Sequence, residues 1–423
     1  MTERLLHFIW QFQHFNKSSL AAVDGEQIQV LFTGHYNINQ GPDFSNAKIR
    51  IGKTTWAGTV EIHVRTSDWK RHQHEKDRNY DNVILHVVWE HDEQINSIPV
   101  MELQGKVAGI LLQRYEELMH TSSFIPCEKN TREVPGITWK SWKDRLLAER
   151  LLRKTELING LLEQSYYHWE EVSWWLLARN FGMKINADAF EAMARSIPLG
   201  VLGKHKTQIH QLEALLFGQA GLLDGTFKEA YPQLLQKEYQ FYKKKYELKP
   251  GSGTVFYLRM RPGNFPTIRL AQLAALLQHS GHLFAKIKET GSVKEVKEWL
   301  DVTANDYWHY HYCFDEESPY KEKKLGGSMV SNIIINTLAP LLFAYGNYHN
   351  ETSYKEKAIE WLEGTVAENN SITNGFQQLG ISNKTAVDSQ ALIELKNEYC
   401  DKKRCLDCAI GNSILKTVPN QKL

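Results

Sequence analysis

The spacing of apolar residues changes once along this chain, and that change limits what it can fold into more than any other feature. Up to about residue 105 the pattern mixes period-two runs with one short helix. From Trp139 to about Lys416 nearly every segment repeats at helical spacing. The expected architecture is therefore α+β: a small α/β domain followed by a large all-helical one. Boundaries fall at 1–120 for the α/β core and 121–136 for a linker rich in proline and polar residues, which contains Cys127. The helical domain occupies 137–398, and a cysteine-rich tail, 399–423, returns to the core.

Within the first region, Arg4–Phe15 places Leu5, Phe8, Ile9 and Phe12 on one helical face. Strands are expected at Gln27–Thr33, Ala47–Ile51 and Thr59–Arg65. The third alternates, with Val60, Ile62 and Val64 facing one way and Glu61, His63 and Arg65 the other. Ser67–Asn82 reads as a polar short helix with flanking loops, and Val83–Trp89 as a strand buried on both faces. Gly105–His120 is amphipathic. The order is helix, strand, strand, strand, helix, strand, helix.

Charge excludes some functions and leaves others to local patches. Lys and Arg number 50 against 49 Asp and Glu, so no whole-chain field draws the protein to nucleic acid or membrane. The N-terminus carries charged and polar residues inside its apolar pattern, unlike a secretory signal peptide. Ser328–Tyr345 is the most apolar stretch, but Asn332, Asn336, Thr337 and Pro340 interrupt it, so a buried core helix is expected and no membrane partner. Five cysteines make no disulfide framework, and the expected address is a reducing cytoplasm. The chain has no GxxxxGK[ST], GxGxxG after a strand, GxSxG or HExxH, so nucleotide-driven, dinucleotide-dependent, serine-hydrolase and zincin chemistries lack their signatures.

Four constellations carry chemistry. Cys400-x4-Cys405-x2-Cys408 puts three thiols within nine residues. Zinc and iron–sulfur clusters each take four ligands, usually thiolates, and Cys127 is the fourth, with Cys313 competing. Such a site is structural. Second, Asp43 precedes one strand and Glu61 and His63 lie on the next, so a hairpin can converge them into a hard-cation site for Mg²⁺ or Mn²⁺. A solvated polar strand face gives the same alternation. Third, His72 and His74 with Asp77 offer borderline-metal ligands or acid–base groups, or else a plain polar helix. His86, within the apolar run, reads as a satisfied core histidine. Fourth, Lys243, Lys244, Lys245, Arg259, Arg261 and Arg269 interleave with Tyr and Phe, as phosphate contact and base stacking require, although a solvated charge run looks the same.

Gly41-Pro42-Asp43 followed by Glu61-x-His63, in this strand order, resembles the PD-(D/E)xK nuclease core. The resemblance implies a restriction-endonuclease-like αβββαβ core in which Asp43 and Glu61 bind the catalytic metal. His63 stands where that family has Lys, and His72 or His74 would assist. Cys127 with Cys400, Cys405 and Cys408 resembles the plan of exonuclease modules in helicase-associated and CRISPR-adaptation proteins, which implies an iron–sulfur cluster beside the core. The stretches GPDF, VEIHVRTSDWKRHQHEKDRNYDNVILHVVWE, NFPTIRLAQLAALL and YCDKKRCLDCAIG resemble a bacterial family known as a domain of unknown function. The function these resemblances imply is metal-dependent hydrolysis of phosphodiester bonds in DNA or RNA. The alternatives are an inactive nucleic-acid-binding or scaffold protein with a structural metal, and a purely structural interaction module. Oligomeric state is not readable from the sequence.

Overall fold

The computed structural model describes residues 1–416 apart from Ile38, Asn96, Ser252, Arg259 and Gly281. The chain is mixed α and β, a small N-terminal sheet region followed by many helices. It divides into two compact units, Met1–Trp142 with Lys396–Leu423, and Lys143–Leu395.

The first unit is built on a six-stranded sheet. Helix α1 (Glu3–Gln11) starts where the Thr2 hydroxyl accepts the Leu5 N–H at 3.3 Å, and Glu3 in its first turn favours the helix dipole. Strands β1 (Ile28–Phe32), β2 (His35–Tyr36), β3 (Phe44–Ile51) and β4 (Thr54–Arg65) follow. After them come a one-turn helix α2 (Asp68–Arg71), β5 (Val83–Glu90), β6 (Val100–Glu102) and α3 (Gly109–His120). The order across the sheet is β1-β3-β4-β5-β6, with β2 also paired to β3. β1, β3 and β4 run antiparallel, whereas β4, β5 and β6 run parallel. The Trp10 indole N–H donates to the Thr33 carbonyl at 3.0 Å, tying α1 to the end of β1.

The parallel β4–β5 pair decides where the site lies. Parallel strands cannot be joined by a tight hairpin and need a crossover over the sheet. Thr66–Asn82 is that crossover: α2 and two single 3₁₀ turns, His74–Lys76 and Arg78–Tyr80. It covers the β4 face that carries Glu61 and His63, which are 5% and 2% exposed. The solvated-strand reading of that face is thereby excluded.

The second unit is helical, from the main length of α4 (Gly136–Gln164) through α5 (Trp169–Phe181), α6 (Met183–Arg195), α7 (Leu199–His205), α8 (Ile209–Gln219), α9 (Ala230–Lys245) and α10 (Pro266–His279) onward. Trp174, Phe181, Phe190, Phe217, Tyr239, Trp308 and Trp361 are fully buried in its core. Among the described residues, one helical stretch, Gly327–Tyr348, is long and apolar enough to cross a membrane, and 72% of its apolar window is buried inside the protein. A π-helical turn at Ile334–Leu338 precedes Pro340 in that stretch.

This core also holds an acid. Glu213 is fully buried, and its Oε2 accepts from the Tyr231 hydroxyl at 2.7 Å and the Trp308 indole at 3.1 Å. Burial outweighs both hydrogen bonds and pushes the carboxyl up from 4.5 to about 7. Between those values the folded state keeps a proton that the unfolded state has lost. Stability therefore falls as pH rises through this window and levels off above it, by about 3 kcal/mol in all. Glu213→Gln keeps the oxygen acceptor and cannot ionise. Urea unfolding at pH 5 and pH 8 is expected to show the variant gaining about 3 kcal/mol on wild type at the higher pH. An equal difference at both pH values would contradict the assignment.

Candidate metal centres

Asp43 and Glu61 meet at the β3–β4 pair. The Asp43 N–H donates to Glu61 Oε2 at 3.1 Å, and the Ile62 N–H donates to Asp43 Oδ2 at 2.9 Å. A β-bulge between Phe44 and Ala47, with Asn46 at φ +56°, places one extra residue on β3 just beyond Asp43. Gly34, at φ +93°, lies so close to this bulge that a Cβ would come within 2.8 Å of the Ser45 carbonyl, so the turn into β2 needs glycine there. His7 of α1 reaches in from the other side, its Nε2 3.2 Å from Asp43 Oδ2.

The crossover completes a second group of side chains. His63 Nε2 is 3.4 Å from Glu61 Oε1, and His74 Nε2 is 3.3 Å from the same oxygen. His72 Nδ1 lies 3.1 Å from His63 Nε2, while His63 Nδ1 lies 2.9 Å from His86 Nε2. The Tyr80 ring stacks on His74 with centroids 3.8 Å apart, and Trp69 packs edge-on against it at 5.3 Å. Asp77 is not part of this group; its side chain caps the next turn by accepting from the Asn79 N–H.

The electrostatics suit a cation. Burial, then the Asp43 carboxylate, holds the Glu61 carboxyl well above its ordinary range. Burial, then the neighbouring imidazoles of His86 and His74, pushes His63 down to about 2. His86 is pushed down to about 3 by burial and then His74. The His63 and His86 imidazoles are therefore neutral, and the Asp43 and Glu61 carboxyl groups sit side by side with no Lys or Arg ion-paired to either among the described residues.

Cys127, Cys400, Cys405 and Cys408, the second candidate, all lie in the first unit. Cys127 precedes the 3₁₀ turn Glu128–Glu133, Cys400 ends a π turn at Leu395–Cys400, and Cys405 opens the 3₁₀ turn Cys405–Asp407. Lys403 at φ +50° reverses the chain between Cys400 and Cys405. Cys408 precedes the helix Ala409–Lys416, and the N–H groups of Gly411 and Ile410 hydrogen-bond to its sulfur. A Cβ on Gly411 would lie 2.2 Å from the Cys405 carbonyl, so only glycine lets the helix and the cysteine loop approach this closely. Burial, then the mutual proximity of the thiols, raises Cys127 to about 12, and burial raises Cys400 further. Burial first, with Cys408 beside it, raises Cys405 to about 12. Burial first, with the Asp407 carboxylate adding to it, raises Cys408 to about 11 against those N–H bonds and a hydrogen bond from Trp142. Cys313 lies in the other unit, on the short strand His311–Cys313, where Glu316 hydrogen-bonds to its thiol.

The basic residues divide. Lys243, Lys244 and Lys245 form the last turn of α9, and Arg261 is exposed. Arg259 lies outside the described residues. Arg269 is not on the surface: it is 6% exposed, bonded to Gln272 at 2.9 Å and to Asn264 at 2.5 Å. It turns inward because α10 is buried on every face from Pro266 to Leu277. Sequence reasoning missed His7 and the stacking of Tyr80 on His74. His86 is the buried core histidine expected from the apolar run, with His63 as its partner.

No curated protein and no solved structure matches the chain. The family described as "Protein of unknown function (DUF2851)" matches residues 3–371, which is most of its length, and the chain belongs to that family.

Proposed function

We propose that this protein is a metal-dependent, nuclease-like hydrolase acting on phosphodiester bonds in nucleic acid. The observation that carries this reading is the convergence of Asp43 and Glu61 at the start of β3 and the middle of β4, bridged by two hydrogen bonds. With the two-residue β2 set aside, the order α1, β1, β3, β4, crossover, β5 resembles that of a PD-(D/E)xK core, which supports a restriction-endonuclease-like reading of the sheet.

Asp43 and Glu61 would hold Mg²⁺ or Mn²⁺, which supplies charge neutralisation at the phosphate and an activated water. His63 occupies the Lys position of the motif. Held neutral by burial, it is a poor proton acceptor, and it orients the Glu61 carboxylate instead. His72 and His74 complete the imidazole wall beside Glu61. Lys243, Lys244, Lys245 and Arg261 remain candidates for phosphate contacts. Cys127, Cys400, Cys405 and Cys408 would hold an iron–sulfur cluster or zinc, a reading supported by four free thiols near enough to raise one another.

A second reading, an inactive nucleic-acid-binding protein, is favoured by the weak basicity of His63. Labelled single- and double-stranded DNA and RNA, incubated with protein in Mn²⁺, Mg²⁺ or chelator, separate the two. The hydrolase reading expects cleavage that chelator abolishes. Salt-sensitive binding without cleavage would support the second reading, and neither binding nor cleavage would remove both.

A further inference from the structure

We propose that His63, His72 and His74, together with Glu61, form a site for a divalent transition-metal ion of the zinc, cobalt or iron type, chemically distinct from a magnesium site at Asp43.

One ring nitrogen from each of His63, His72 and His74 lies within 4.8 Å of the others. The edges of the group measure 3.1 Å from His63 to His72, 3.4 Å from His63 to Glu61 and 3.3 Å from His74 to Glu61. A tetrahedral ion with bonds of about 2.1 Å sets its ligands about 3.4 Å apart. Those three edges match that spacing; the three imidazole nitrogens form the compact part of the group, and Glu61 Oε1 adjoins it through His63 and His74. Three imidazoles select zinc, iron, cobalt or nickel over magnesium, which prefers oxygen.

The surroundings are those of a metal-ligating histidine. With an ion on His63 Nε2, the Nδ1 hydrogen donates to His86 Nε2, 2.9 Å away and fully buried. Tyr80 stacking and the Trp69 edge fix the ring of His74. A hydrogen-bond chain from His72 through His63 to His86 accounts for three of the rings. It leaves His74 Nε2 buried without a hydrogen-bond partner among the described residues, although the nitrogen faces the Glu61 carboxylate. An ion shared by the three imidazoles gives His74 Nε2 the partner it lacks, with Glu61 Oε1 beside it. Glu61 serves both sides, since Oε2 takes the Asp43 N–H while Oε1 faces the imidazoles. The proposal rests on this ligand geometry and holds whether or not the protein cleaves nucleic acid.

The test is a Co²⁺ titration of full-length protein as purified, read by ultraviolet and visible absorption. Expected is uptake of one Co²⁺ with d–d bands and no thiolate-to-cobalt charge-transfer band. Zn²⁺ displaces it, whereas Mg²⁺ in about thousandfold excess does not. His72 is exposed, so His72→Ala leaves the fold intact, as circular dichroism would verify. This variant and His74→Ala are each expected to weaken Co²⁺ binding by about 100-fold or more. Asp43→Asn keeps Co²⁺ binding, so a failure of the nuclease reading is distinguishable from a failure here. Absence of uptake, equal competition by Mg²⁺, or wild-type affinity in both histidine variants would overturn the proposal.

Discussion

Cys408→Ser is expected to strip the thiolate-held metal and to lower the melting temperature of the first unit by at least about 10 °C. Four thiols are gathered in the interior, with burial raising each of them. Unbridged, they are desolvated groups with little to bond. Bridged by a soft metal, they tie Cys127 to the C-terminal loop across most of the chain's length. Apparent binding free energies for structural zinc run to about 10 kcal/mol or more in small domains, and a metal held by these thiols would add such energy to the fold. The loop is shaped for this wrapping by Lys403 and by the close approach at Gly411. Elemental analysis and calorimetry of the variant read both effects. Cys313→Ser, made in the other unit, is expected to leave metal content unchanged. Unchanged metal in Cys408→Ser would refute the centre.

Asp43→Asn and Glu61→Gln are each expected to reduce metal-dependent cleavage by about 10³-fold or more, because a lost ligand removes several kcal/mol of charge stabilisation. The same changes are expected to leave stability equal or raised. In Asp43→Asn the side-chain amide oxygen would still accept the Ile62 N–H. Glu61→Gln removes the burial cost, and either change removes the Asp43 repulsion, which together hold Glu61 above its ordinary range. Loss of activity with a higher melting temperature separates a functional pair from a structural one. Paired loss of activity and stability would mark the carboxylates as scaffolding.

Much of this was legible from residue types. The run Val83–Trp89 read as a strand buried on both faces, and β5 is buried from Val83 to Val88. The hairpin spacing placed Asp43 beside Glu61. Alternation could not reveal that the Glu61 and His63 face is covered. That depends on the parallel pairing of β4 with β5, a long-range choice that forces Thr66–Asn82 across the sheet. His7 was illegible because nothing in α1 marks a histidine as facing a strand end. β2 and β6, at two and three residues, are too short to show a period. Arg269 was misplaced because a helix buried on all sides carries no amphipathic signal to say where its charge points.

The central claim is that Asp43 and Glu61 hold a divalent ion. Anomalous diffraction at the manganese edge, from crystals soaked in Mn²⁺, tests it most directly. The account predicts a peak about 2–2.5 Å from carboxylate oxygens of both residues, absent in Asp43→Asn. A saturated soak with no density between them would contradict it.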